Sequence, residues 1–162
     1  MGLSVSGLAA CKMAKMAELP VTMMGLLPMI DAKINGKDVR FEVDSGAFYS
    51  LLGAASAAEL NLKIKPAPYG MRIVGVGGAT NPTVANVETF TPAGIPVHNM
   101  GFFISDSVRL GGGSVGLLGQ NVFGVGDVEY DFANGKVRFI KAMIVRMRCW
   151  LIGSMRGNPI PS

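Results

Sequence analysis

Asp44-Ser45-Gly46-Ala47 follows the alternating run Val39-Arg40-Phe41-Glu42-Val43. A carboxylate is thereby placed at the end of an expected strand, on a tight glycine-containing loop flanked by small residues. An acid held rigidly in this way can take a proton from water or give one to a substrate. Competing chemistries are poorly supplied. His98 is the only histidine, so Ser-His-Asp and Cys-His mechanisms lack their base unless a second chain brings one. Cys11 and Cys149 are too few and too far apart for a disulfide framework or a zinc cluster. Asp127, Glu129 and Asp131 alternate along one strand face and lack the glycine and closing glutamate of a calcium loop. Gly75-Val76-Gly77-Gly78 lacks the Lys-Ser/Thr ending and the following helix of a phosphate loop, and reads as a hairpin tip.

The elements that must hold Asp44 are strands. Residues 29–43 read as a hairpin: Ile30, Ala32 and Ile34 alternate, Asn35-Gly36 turns the chain, and Val39, Phe41 and Val43 alternate again. Asn-Gly supplies the two positive φ angles of a type I′ turn. The Ala-rich stretch 53–62 is the best helix, stopped before Pro66 and Pro68. Strands are expected over 71–76 and 83–90, the latter with Ala85, Val87 and Thr89 on one face. Pro92-Ala93-Gly94 turns the chain into a returning strand over 97–104, which puts His98 on a surface hairpin. After Gly111-Gly112-Gly113-Ser114, residues 115–123 read as a buried apolar strand running into a short helix. Runs 128–132 and 136–140 flank Asn134-Gly135 as a second hairpin. Short strands with a turn about every ten residues indicate an all-β barrel or sandwich.

Composition agrees. Apolar residues make up 49%, charged residues 16%, and glycines number 22, which fits a turn-rich β domain with a real core. The net charge of +4 resides in Lys141, Arg146, Arg148 and Arg156, because the eleven cations before residue 141 are balanced by all eleven acids. The globular part therefore has no electrostatic case for nucleic acid. The chain divides into a leader (1–18), a globular domain (19–141) and a basic apolar tail (142–162). In the leader, Leu8-Ala9-Ala10-Cys11 has the form of a lipobox, which would make Cys11 a lipid anchor and place the protein in a bacterial periplasm or envelope rather than the cytoplasm. Met1-Gly2 with Ser6 also fits the loose myristoylation pattern. The tail's apolar runs are cut by Arg146 and Arg148, a poor transmembrane span.

Four features recur in order: a hairpin into Asp44-Ser45-Gly46-Ala47, a Gly-rich hairpin some thirty residues on, the strand-to-helix run Gly116-Leu117-Leu118-Gly119-Gln120-Asn121, and a closing hairpin. Together, over about residues 20–140, they resemble the retropepsin-like aspartic proteases, in particular their bacterial members. The resemblance implies a small closed acid-protease barrel with one or two short helices and a flap hairpin, forming a two-fold homodimer. It implies that Asp44 is the catalytic aspartate. Ser45 would brace the paired loops across the dimer, and Gly46 and Ala47 would complete the loop, with Ala47 near substrate. Gly75, Val76, Gly77 and Gly78 would be the flap tip over bound peptide. Leu117, Leu118 and Gly119 would be the strand behind the catalytic loop. One pair departs from the pattern. Retroviral members carry acids after the loop alanine and an arginine after the later glycine, where this chain has Phe48 and Gln120. Losing both sides of a buried ion pair together can be neutral, whereas losing one strands a charge, so a different brace is expected.

The chain has one D-S-G, and an aspartic protease needs two carboxylates. A homodimer that faces Asp44 with its mate supplies both. Paired carboxylates share one proton, so one acts as base on water and the other as acid toward the scissile carbonyl, with no metal, cofactor or covalent intermediate. An extended peptide or protein substrate would bind through its main chain. Three other readings are compatible with the sequence: a catalytically inactive peptide-binding module on the same fold, one half of a tandem-domain protease, and an unrelated small ligand-binding barrel in which D-S-G is only a turn.

Overall fold

The computed structural model describes residues 12–75, 78–80, 83–105, 111–124 and 126–143. Strand β1 (Lys12–Pro20) pairs antiparallel along its length with the last of the described strands. It begins inside the segment read from sequence as a leader, so residues 12–18 belong to the folded unit. The run Lys-Met-Ala-Lys-Met-Ala-Glu lacks a clean period of two and is poor in β-branched residues. A bulge between Lys15 and Ala17 breaks the alternation further. Its anchor is Leu19, which is buried.

After β2 (Thr22–Met24) come β3 (Leu27–Ile34) and β4 (Lys37–Val43). Asn35 and Gly36 sit at φ 48° and 85°, the type I′ turn that twists in the same sense as its strands. Ile30, Ala32, Ile34, Phe41 and Val43 are all buried, as the alternation requires. Then follow β5 (Leu51–Gly53) and α1 (Ala54–Glu59). The helix is shorter than the expected stretch 53–62: Gly53 is its N-cap, and Asn61 just beyond its end takes φ 56°.

Strand β6 (Ile64–Pro66) precedes a separate small hairpin, β7 (Ile73–Gly75) with β8 (Gly78–Thr80). Strand β9 (Thr83–Pro92) turns through Ala93 (φ 45°) and Gly94 (φ 82°) into β10 (Val97–Ser105). Buried residues on β9 are Ala85, Val87, Phe90 and Pro92. The inward phase thus changes after Val87, where the simple alternation had put Thr89 inward. It changes opposite Asn99, which has φ 55°. This strand also changes partner, pairing with β6 at its start and β3 at its end.

Strand β11 (Gly116–Leu118), α2 (Gln120–Phe123), β12 (Asp127–Asp131), a 3-10 turn (Phe132–Asn134) and β13 (Lys136–Met143) complete the described residues. The second hairpin therefore turns through a 3-10 segment closed by Gly135 at φ 65°.

The main sheet runs β2-β3-β4-β11-β5-β10-β9-β6, and an additional β3–β9 pairing joins its two sides. Strands β3, β4, β11, β5, β10 and β9 thus form a closed six-stranded barrel, an architecture that leaves no open sheet edge among them. Its centre is a trio of buried phenylalanines, Phe41, Phe90 and Phe102, with ring centroids 5.4–5.5 Å apart. A second sheet, β1-β13-β12, adds Val137 and Phe139 to the buried core, and the Phe139 ring stacks on Phe123 of α2 at 6.0 Å. The same short helix therefore adjoins both this sheet and the strand that supports Asp44.

Candidate active site

Asp44 lies one residue beyond the end of β4. That strand is flanked on one side by β11, running parallel to it in the register Phe41–Gly116, Glu42–Leu117, Val43–Leu118. The Asp44 N–H donates to the Leu118 carbonyl at 2.9 Å, so the ladder carries on to the acid itself and fixes its backbone. The side chain is fixed as well. Asp44 Oδ1 accepts from the Gly46 N–H at 2.8 Å, an Asx-type turn. The other carboxyl oxygen accepts nothing from the described residues. Asp44 is half-buried as a residue, and Ser45 and Gly46 are exposed, so the loop presents an oriented acid at the surface.

The stretch after the loop is clamped onto residues 118–121. Ala47 O accepts from Gln120 N at 2.8 Å and Phe48 O from Asn121 N at 3.1 Å. The fully buried Ser50 is the hub behind it. Asn121 Oδ1 accepts from both Ser50 N (2.7 Å) and Ser50 Oγ (2.8 Å), and Ser50 Oγ in turn accepts from Gly119 N (3.0 Å). This approach is why position 119 is glycine. A Cβ there would sit 2.7 Å from Ala47 O and 2.8 Å from Tyr49 O. Gly116 is constrained in the same way, since its Cβ would fall on Leu51 O.

The brace expected in place of an ion pair is a set of neutral amides. Gln120 Nε2 donates to Ser45 O at 2.7 Å, while Phe48 points to solvent, 80% exposed. The substitution of both members leaves no stranded buried charge. Two further groups sense the acid. Burial, and secondarily the Asp44 charge, push the Glu42 carboxyl above its ordinary value. Burial also raises the Tyr130 phenol; the nearby Gln120 side chain opposes this in part and Asp44 adds to it. The Tyr130 hydroxyl is buried with no hydrogen-bond partner among the described residues.

Of the residues singled out by sequence, Asp44, Ser45, Gly46 and Ala47 thus meet Leu117, Leu118 and Gly119 in one place. Gly75 and Gly78 pair with each other in the β7–β8 hairpin, whereas Val76 and Gly77 lie outside the described residues, as do Cys11 and Cys149. His98 is exposed on β10, its Nδ1 3.5 Å from Thr89 Oγ1. Glu129 and Asp131 pair with Arg138. Sequence reasoning missed Ser50 and Tyr130. For Ser50 the available signal was a hydroxyl directly before the apolar pair Leu51-Leu52 at the mouth of a buried strand.

A sequence model for a family described as aspartyl protease matches residues 30–122. Among solved structures, a retropepsin-like aspartic protease from Rickettsia conorii superposes with a TM-score of 0.54 at 15% identity, covering 83% of this chain and 96% of that one. The EIAV protease, solved with the inhibitor HBY-793, superposes with a TM-score of 0.50 at 22% identity, covering 64% of this chain and 92% of that one. The fold is therefore retropepsin-like. No curated protein matches by sequence.

Proposed function

The chain belongs to the aspartyl protease family, and from that premise we propose that it is an aspartic endopeptidase whose dyad is made by Asp44 of two subunits. The observation that carries the reading is the double constraint on Asp44. Its backbone is tied to Leu118 and one carboxyl oxygen to Gly46, which leaves the other oxygen unclaimed by the described residues. Such an acid is aimed at something outside its own loop.

One carboxyl cannot act as base and acid in the same step. With a second Asp44 across a two-fold axis the pair holds one proton, because two like charges a few Å apart resist joint ionisation. The ionised member removes a proton from water. The oxygen of that water forms a bond to the scissile carbonyl carbon as the protonated member donates to the carbonyl oxygen. Collapse of the tetrahedral adduct passes a proton to the departing amine and leaves the new carboxyl product. The Gly46 N–H keeps Asp44 Oδ1 in place throughout. In this reading Ser45 and Ala47 border the cleft, and the hairpin carrying Gly75, Val76, Gly77 and Gly78 covers an extended substrate.

The test is cleavage of a diverse peptide library from about pH 4 to 7, since a pair that shares one proton makes the rate depend on pH. Asp44→Asn should abolish cleavage with its melting temperature unchanged, and added to wild type it should poison activity by forming mixed pairs. Undiminished cleavage by Asp44→Asn overturns the reading. Activity strictly proportional to protein concentration, with a monomer in sedimentation, overturns the two-subunit dyad.

A further inference from the structure

Tyr130 carries a phenol that the mechanism above does not use. Its hydroxyl is buried, with no hydrogen-bond partner among the described residues. A hydroxyl taken out of water and left unbonded costs free energy, so a chain that keeps one there calls for an explanation. The ring itself is well fixed. Its backbone lies in the β12–β13 ladder opposite the buried Val137. The ring meets Phe132 at 5.7 Å and rests edge-on against Phe123 at 5.8 Å. Phe123 ends α2 and Gln120 begins it. Residues three apart are neighbours on a helix surface, so a ring resting on Phe123 lies on the side of α2 that carries Gln120. The phenol responds accordingly: burial raises it, the Gln120 side chain opposes the rise, and the Asp44 charge adds to it. A neighbour that favours the phenolate turns a donor toward its oxygen. Gln120 has such a donor, because a side-chain amide carries two N–H groups and Ser45 O takes one of them, at 2.7 Å.

Resting on the protease reading above, we propose that Tyr130 is a positioning residue for the catalytic loop: its hydroxyl oxygen takes the second Gln120 N–H, so that one amide is held between Ser45, next to Asp44, and Tyr130 of the second sheet. The last torsion of a glutamine side chain is soft. Ser45 alone therefore leaves the amide free to swing, and an anchor on its other N–H stops it. The second sheet, remote from the β4–β11 ladder that carries Asp44, thereby takes part in holding the acid. Like the amide, this anchor carries no charge, since burial keeps the phenol protonated.

A double-mutant cycle on the full chain tests this. Tyr130→Phe keeps the ring and removes one oxygen. Alone, it should lower kcat about fivefold with KM unchanged, the size of one neutral hydrogen bond, and it should lower the melting temperature. In a Gln120→Ala background the same change should leave kcat alone, because the route to Ser45 is already cut. There it should raise the melting temperature, because the hydroxyl has lost its partner and only the cost of burying it remains. Packing of the ring cannot produce that reversal of sign, since phenylalanine packs as tyrosine does. An unchanged kcat in Tyr130→Phe, or losses that multiply across the cycle, overturns the proposal. So does a melting temperature that Tyr130→Phe raises in both backgrounds, the mark of an idle hydroxyl, or lowers in both, the mark of a partner other than Gln120. The melting measurements need no catalysis and so separate this inference from the protease reading. If wild type cleaves nothing, that reading fails on its own; the reversal of sign then still supports the tie between Tyr130 and Gln120, and the same sign in both backgrounds overturns it.

Discussion

The side-chain amide of Gln120 donates to the backbone carbonyl of Ser45 at 2.7 Å, tying the residue next to Asp44 to the helix that starts behind it. The tie carries no charge. Loop geometry therefore does not depend on the ionisation of a bracing group, and the pH response of the site is left to the carboxyls themselves. Gln120→Glu puts this to the test. A protonated Glu can still donate to Ser45 O. An ionised one can only accept, and it repels both that oxygen and Asp44. The variant should work close to wild type in acid and lose activity as pH rises through the new carboxyl's pKa, while Gln120→Ala loses activity without that slope. Superimposable pH–rate profiles for Gln120→Glu and wild type would show that the amide is not a brace.

Ser50 is the buried hub, and its removal should be costly in a specific way. Its Oγ both accepts from Gly119 N and donates to Asn121 Oδ1. Ser50→Ala leaves the Gly119 N–H buried and unpaired, a cost of about 1–3 kcal/mol. Ser50→Thr retains the hydroxyl and should recover most of that. Denaturant unfolding of the two variants measures the difference; equal midpoints for Ala and Thr would remove the hydroxyl from the argument.

Gly119→Ala should be worse than either. The added methyl meets backbone on two sides, Ala47 O at 2.7 Å and Tyr49 C at 2.7 Å. Neither can swing away as a flexible side chain would. Overpacking typically costs about 1–3 kcal/mol, and here the shift falls on the loop that holds Asp44. The expected outcome is a lowered melting temperature together with a fall in kcat larger than any change in KM, read from steady-state kinetics on one peptide. A variant as stable and active as wild type would mean that the approach of the two segments is not needed.

How much of this was visible beforehand depends on the range of the interaction. The β3–β4 hairpin was legible because Asn35-Gly36 and the alternation from Ile30 to Val43 are local signals. Asp44 at the strand end was legible for the same reason. The placement of Leu118 beside Val43 came only through the resemblance, because a parallel pair seventy-odd residues apart leaves no local trace. Ser50 was missed for a related cause: its partners, Gly119 and Asn121, are distant in sequence. Strand β1 was missed because its composition is not that of a strand and its pairing is supplied wholly by β13. The pair Phe48 and Gln120 is the instructive case. Its departure from the resembling pattern announced that something else must hold the loop, but only the folded chain showed which atoms do so.

Arg138 holds the second sheet together across three strands, and this fixes the sign of one pH effect. It pairs with Glu18 of β1 at 3.1 Å and with Glu129 and Asp131 of β12 at 2.8 and 3.0 Å, and Glu18 also meets Lys15 and Lys136. The Arg138 contact holds the Glu18 carboxyl below its ordinary value. Asn134 first, and then Arg138, do the same for Asp131. A carboxyl depressed on folding contributes stability that is present above its unfolded pKa and lost as pH falls through the folded one. With ordinary values of 4.5 for Glu18 and 3.8 for Asp131, that loss begins below about pH 4.5. Glu42, raised by burial, acts with the opposite sign: it favours the fold in acid and penalises it as pH rises through its elevated value. The two trends are separable. Arg138→Met should lower the melting temperature at neutral pH and flatten its decline in acid, because the depressed carboxyls lose their partner, while Glu42→Gln should remove only the penalty at higher pH. Melting temperatures recorded from about pH 3 to 7 decide it. If Arg138→Met falls off in acid as steeply as wild type, the acid limb belongs to some other group than the Arg138 network.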